Sequence, residues 1–170
     1  GLKTLAETKR PGLKALAEIA GLPDREWSCR EVAFNLIPRL NACGRMGKAD
    51  PGLELLITSS AQRALELAQQ LQRDNQARRL SGERIAAEAE AMASAAVAEG
   101  TKGLVLASQD WHPGVIGIVA ARLAEKYNRP VVLIALNGES GQGSGRTTPG
   151  IDLHQMLEHC RSHLLVYGGH

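Results

Sequence analysis

The sequence predicts an α/β protein: a helical N-terminal segment and a long connector helix leading to a small mixed-sheet α/β domain. Three observations carry this reading. Residues 1–57 hold only short amphipathic stretches set apart by Pro and Gly. From Thr58-Ser59-Ser60 to Gly100 the helical pattern is interrupted only by Gly82. From residue 101 onward two apolar runs, Leu104–Ala107 and Val131–Leu136, flank one helix-spaced stretch. The expected boundaries are therefore 1–57, 58–100 and 101–170.

In the first segment, Leu2 and Leu5 make a short helical piece. Pro11-Gly12 starts a second helix with Leu13, Leu16, Ala17 and Ile19 on its apolar side, ending near Gly21-Leu22-Pro23. Ser28 and Glu31 have the spacing of a capping box, opening a helix with Val32, Ala33, Leu36 and Ile37. That helix is expected to end at Ile37, since Pro38 disfavours helical geometry in the residue before it. Arg39–Gly47 then reads as an irregular stretch, and Asp50-Pro51-Gly52 opens a short helix to Ile57. The long helix is apolar on one face early on (Ala61, Leu65, Ala68, Leu71) and polar almost all round at Arg73–Arg79, a pattern that suits a helix bridging two bodies.

In the last segment, Leu104–Ala107 leads through Asp110-Trp111-His112-Pro113-Gly114 into a helix with Val115, Ile118, Val119 and Leu123, stopped by Asn128-Arg129-Pro130. The wholly apolar Val131–Leu136 suits a strand parallel to the first. Asn137–Gly141 is a turn, and Gln142–Arg146 an antiparallel third strand. Asp152 caps a final helix with an apolar stripe of Leu153, Met156, Leu157, Cys160 and Leu164.

The totals exclude some functions. With 170 residues, 44% hydrophobic and 22% charged, the chain is globular, and a net charge of +2 means that any basic surface is local. Aromatic residues at 3% argue against a broad stacking platform for single strands. No apolar run approaches the roughly 20 residues of a membrane span, so no membrane partner is expected. Three cysteines without metal-ligand spacing read as reduced thiols in the cytoplasm. The chain begins without Met and ends on Tyr167-Gly168-Gly169-His170, which suggests a piece of a longer protein.

Three glycine-bearing motifs carry cations or an imidazole. In Gly143-Ser144-Gly145-Arg146-Thr147-Thr148 the glycines admit a ligand to the backbone, the hydroxyls donate, and the guanidinium can grip a phosphate through two parallel bonds. Arg39, Asn41 and Arg45 stand within seven residues, and Gly168-Gly169-His170 adds an imidazole. Each has an ordinary alternative as a solvated loop or hairpin. His112, at a helix start where the dipole disfavours imidazolium, either donates to a ligand or braces its turn. Trp111 fits packing better than stacking. His159 and His163 stand four apart, but no third ligand is placed, and the isolated aspartates make no two-metal centre.

Taken in order, RLNACGRMG at 39–47, DWHPGVIGIVA at 110–120, GSGR at 143–146 and GGH at 168–170 resemble the RecJ-type single-strand DNA exonucleases of the DHH phosphoesterase superfamily. The resemblance covers nearly the whole chain. It implies that 1–57 closes a DHH catalytic domain, 58–100 is a connector helix, and 101–170 is most of a DHH-associated substrate-binding domain. It further implies 5′-to-3′ hydrolysis of single-stranded DNA in recombination and repair. Mn²⁺ or Mg²⁺ would be held by residues outside this chain. The implied partners are single-stranded DNA, the DHH domain and a single-strand-binding protein. The implied substrate or phosphate contacts are Arg39, Asn41, Arg45, His112, Ser144, Arg146 and His170, with no complete catalytic set and no metal ligand. Cys43 departs from the small residue common at its place, and Thr147 from the Ser that often follows the Arg. An oligonucleotide or cyclic-dinucleotide phosphodiesterase of the same superfamily, or a non-catalytic DNA-binding scaffold, are the competing readings.

Overall fold

The computed structural model describes residues 1–169; His170 lies outside the described residues. The chain forms two compact units, Gly1–Leu80 and Ser81–His170.

Unit 1 is helical. Its elements are α1 (Leu2–Ala6), α2 (Pro11–Ile19), α3 (Cys29–Glu31), α4 (Ile37–Met46), α5 (Asp50–Ile57) and the first half of α6 (Ala61–Ala98). The capping box forms as expected, with Ser28 Oγ accepting from the Glu31 N–H and the Glu31 carboxylate accepting from the Ser28 N–H. The core gathers Leu16, Trp27, Leu36, Leu55, Leu67 and Leu71. Burial of each such side chain contributes roughly 1.5–3 kcal/mol.

Two expectations fail here. The helix does not end at Ile37, and Arg39–Gly47 is not irregular. Pro38 lacks an N–H, and its ring opposes the carbonyl four residues back. The chain meets this by widening rather than stopping. Val32–Leu36 is π-helical, and the Ile37 N–H bonds the Val32 carbonyl, five residues back. Pro38 then falls in the first turn of α4, where a missing donor costs nothing.

Unit 2 holds the second half of α6, then β1 (Leu104–Ser108), α7 (Pro113–Tyr127), β2 (Val131–Asn137), β3 (Ser140–Arg146) and α8 (Leu153–His159). The sheet order is β1-β2-β3, with β1 parallel and β3 antiparallel to β2. This mixed sheet is the one expected. Leu104, Leu106, Val131 and Leu133 are buried with Val115, Ile116, Val119 and Leu123 of α7. Asn128, at φ 50, ends α7 in a left-handed cap.

Gly82 does not break α6, which is continuous. A Cβ at Gly82 would stand 3.5 Å from Val115, so the glycine sits where α7 comes close. The last helix is shorter than expected. It ends at His159, and Arg161–His163 tighten into a 3₁₀ turn. The apolar stripe is not buried: Met156 and Cys160 are exposed. The sheet face it meets is lined by Gly141, Gly143 and Gly145, and Leu153 is the side chain seated on Gly145.

Candidate functional site

The register of the β2–β3 hairpin decides where the Gly143–Arg146 motif points. Arg146 pairs with Val131 and Ser144 with Leu133. Opposed residues of an antiparallel pair share a face. Ser144 and Arg146 therefore lie on the face that α7 covers, at its edge, while Gly143 and Gly145 lie on the other. The Arg146 guanidinium donates through Nη1 to the Gly145 carbonyl at 2.6 Å and to Ser144 Oγ at 3.4 Å. Both acceptors are neutral, so the guanidinium keeps its full charge at an exposed strand end.

A cleft of about 660 Å³ opens here, lined by Ser144, Arg146, Thr147, Asp152, His154 and Gly169 among others. The strand end of β3, with Gly143 and Gly145 on one face and Ser144 and Arg146 on the other, borders it. Asp152 Oδ1 accepts from the Gln155 N–H and caps α8, which removes part of its acceptor capacity from the cleft. Tyr167 holds the terminal stretch to α8, with its hydroxyl on the Glu158 carboxylate and its ring 5.7 Å from that of His154. Gly168 and Gly169 are thereby brought to the cleft wall. His154 and Tyr167 were not singled out from the sequence. The stripe around them reads as plain amphipathic helix, and only the fold shows the cleft.

His112 is not in the cleft lining. It is the N-cap of α7, its Nδ1 accepting from the Gly114 N–H at 3.1 Å. That bond requires the neutral tautomer with the proton on Nε2, leaving one outward donor. The side chain braces its turn, which is one of the two roles open from the sequence. Trp111 is buried, and its indole N–H donates to Glu88 at 2.9 Å.

The unit 1 candidates sit on a rigid helix. Asn41 and Arg45 are four apart on α4 and share an exposed face. Arg45 stands in the last turn, where a cation complements the helix dipole. Arg39 points elsewhere. Its Nε donates to Gln72 Oε1 of α6 at 2.7 Å, and its Nη1 to the Asn35 carbonyl at 2.5 Å. Partial burial, and then the neighbouring Arg79 guanidinium, pull Arg39 below its ordinary value without removing its charge. Structure thus joins Asn41 with Arg45 and separates Arg39 from both. Phe34 lies upstream, 71% exposed, with the Arg30 guanidinium 5.8 Å from its ring centroid. As for metals, no group of three His, Cys, Asp or Glu among the described residues comes together to hold an ion.

Residues 100–170 match the family model of the DHHA1 domain, so the cleft lies in a domain of that class. The whole chain is 37% identical, over 172 residues, to the single-stranded-DNA-specific exonuclease RecJ of Bacillus subtilis. It is 38% identical over 173 residues to that of Thermus thermophilus. It spans 22% and 24% of those two proteins. Among solved structures, that of Thermus thermophilus RecJ in complex with Mn²⁺ superposes with a TM-score of 0.84 at 36% identity, covering 100% of this chain and 24% of that one. Another, of exonuclease RecJ bound to manganese, gives 0.80 at 35%, covering 99% and 41%. The chain is thus similar to RecJ proteins over its whole length, and it spans about a quarter of the length of the curated relatives it matches.

Proposed function

We propose that this chain is the substrate-gripping part of a single-stranded-DNA exonuclease that hydrolyses phosphodiesters from 5′ to 3′ and serves recombination and repair. The observation that carries the reading is the Arg146–Ser144 pair: a cation pinned by neutral acceptors at an exposed strand end that borders a cleft, within residues that match a DHHA1 domain. Such a site suits a phosphodiester, which offers two oxygens and a single charge to a guanidinium fork. Asn41 and Arg45 are proposed as a separate phosphate contact within unit 1, and His170, which lies outside the described residues, as a further donor.

The described donor set does not fit a metal centre, so no step of hydrolysis is assigned to these residues. The metal, Mn²⁺ or Mg²⁺, would be held by a DHH domain outside this chain. The similarity to RecJ structures in complex with each of these ions supports that assignment. Residues 1–57 would close the DHH domain, 58–100 connect it, and 101–170 grip the strand. Single-stranded DNA, the DHH domain and a single-strand-binding protein are the proposed partners. Among the described residues no helix is long and apolar enough to cross a membrane, and the proposed location is the cytoplasm.

The test is nucleotide release from a 5′-labelled single strand in Mn²⁺, by the 170-residue chain and by the same chain joined to its DHH domain. The expected outcome is release by the longer protein alone. Release by the chain alone would overturn the division of labour. Hydrolysis of dinucleotides but not of long strands would favour the short-oligonucleotide branch of the superfamily. Binding without any cleavage by the longer protein would favour a scaffold.

A further inference from the structure

Helix α7 carries a glycine, Gly117, in a turn otherwise committed to the core: Ile116 and Val119, on either side of it, are buried. A glycine in mid-helix is the poorest of the ordinary helix formers, so a packing reason is expected for it. The coordinates supply one. A Cβ built on Gly117 would stand 2.8 Å from Ser144 Oγ, 3.6 Å from Ser144 Cβ and 3.5 Å from Arg146 Nη2. The last two are ordinary contacts. The first is shorter than real Cβ atoms show, and it falls on the one hydroxyl that accepts from Arg146.

We infer that Gly117 is a positioning residue for the phosphate grip, holding the Ser144 hydroxyl under the Arg146 guanidinium by leaving space for it. This rests on the proposed reading of that pair as a contact to single-stranded DNA. With a methyl group at 117, Ser144 has two responses. It rotates its hydroxyl away and gives up the bond to Arg146, or β3 withdraws from α7 and carries Arg146 with it. The first leaves the guanidinium on the Gly145 carbonyl alone, and the second shifts it with the strand. Neither empties the core, because Ile116, Val119 and Ala120 keep their places.

The prediction separates function from folding. In the intact protein, with the metal chelated, Gly117→Ala is expected to weaken binding of a labelled oligo-dT about fivefold or more. The slope of log K against log salt should fall toward that of Arg146→Ala, by about one contact. The melting temperature should hold or rise, since alanine favours the helix. In a Ser144→Gly background, Gly117→Ala should have no further effect on binding, because the clashing hydroxyl is gone. An equal loss in both backgrounds, or a loss that tracks a fall in melting temperature, would overturn the inference. In the DNA-free protein the backbone amide resonances of Ser144 and Arg146 should shift in Gly117→Ala, and unmoved resonances would also overturn it. Wild-type protein that fails to bind oligo-dT while these resonances do move would sink the DNA reading and leave the positioning role standing.

Discussion

The two units hold their arginines on different supports. In unit 1, Arg39 is clamped between Gln72 of α6 and the Asn35 carbonyl, half-buried, on a helix that runs through a proline. In unit 2, Arg146 stands exposed at the end of β3, steadied by one carbonyl and one hydroxyl. Among the described residues neither has a carboxylate partner, whereas Arg25, Arg63 and Arg161 each have a glutamate. A guanidinium kept in place by neutral dipoles retains the charge that an anion needs. The lesson is that a grip can be built from opposite materials: buried helix packing, which ties the cation to stability, or an exposed strand end, which leaves it independent.

The same contrast separates two glycines, and it gives the largest expected effect. A Cβ at Gly12 of α2 would stand 1.7 Å from the Leu55 carbonyl oxygen in α5, a backbone atom that cannot rotate away. Gly12→Ala should therefore destabilise unit 1 by about 3 kcal/mol or more, the upper range of overpacking costs. Chemical denaturation would show this as a midpoint shift for unit 1. At Gly117 the nearest atom is a side-chain hydroxyl, and stability is expected to survive. Equal melting losses at the two glycines would erase the distinction.

Arg39→Ala comes next. It removes two hydrogen bonds to a charged group and leaves Gln72 without its partner across the α4–α6 seam. Such bonds are worth about 1.5–3 kcal/mol each at most, and partial exposure lowers the figure, so a loss of about 1–2 kcal/mol is expected. Arg146→Ala should change stability by no more than about 0.5 kcal/mol, as exposed positions do. It should still weaken binding to single-stranded DNA and lower the salt slope by about one. If Arg146→Ala proved as destabilising as Arg39→Ala, the two supports would not differ as described.

Unit 2 was legible in the sequence because its signals were local and agreed. Two apolar runs around a helical period imply the parallel pair, and the short Asn137–Gly141 gap implies the hairpin that presents Arg146. Unit 1 was legible in its caps and its core but not around Arg39. The rule that the residue before proline leaves the helix is sound for an ideal α-helix. A π turn needs one more residue and a tertiary setting that stabilises it, and neither shows in the local pattern. The cleft wall was hidden for a related reason: Tyr167 reaches back to Glu158 and His154 across a turn whose path only the fold defines. Gly117 left a faint signal, a helix-breaking residue inside the apolar stretch at 115–121, but its partner Ser144 lies a strand away.

The smallest effect tests whether unit 2 also relies on ion pairing where unit 1's Arg39 does not. Glu90 of α6 accepts from the Lys126 ammonium and from the Tyr127 hydroxyl of α7. These bonds, the Lys126 one foremost, hold the Glu90 carboxyl below its ordinary value, and the Glu90 bond raises Lys126 above its own. A carboxylate depressed in the folded state contributes stability that is present above the unfolded value of about 4.5 and lost as pH falls through the folded one. A lysine raised in the folded state contributes stability that is complete below about 10.5 and lost as pH climbs beyond it. The pair should therefore support unit 2 on a plateau between these limits and fade at both edges. Lys126 is exposed and Glu90 partly so, and the contribution is therefore modest and weakens with salt. Glu90→Gln keeps the shape of the contact but not its charge. Thermal melts should find the variant slightly less stable than wild type at pH 7, with the gap narrowing progressively as pH falls below about 4.5. A gap that showed no narrowing on acidification would mean that Glu90 supports α7 by hydrogen bonding and packing alone, and that the charge contributes nothing.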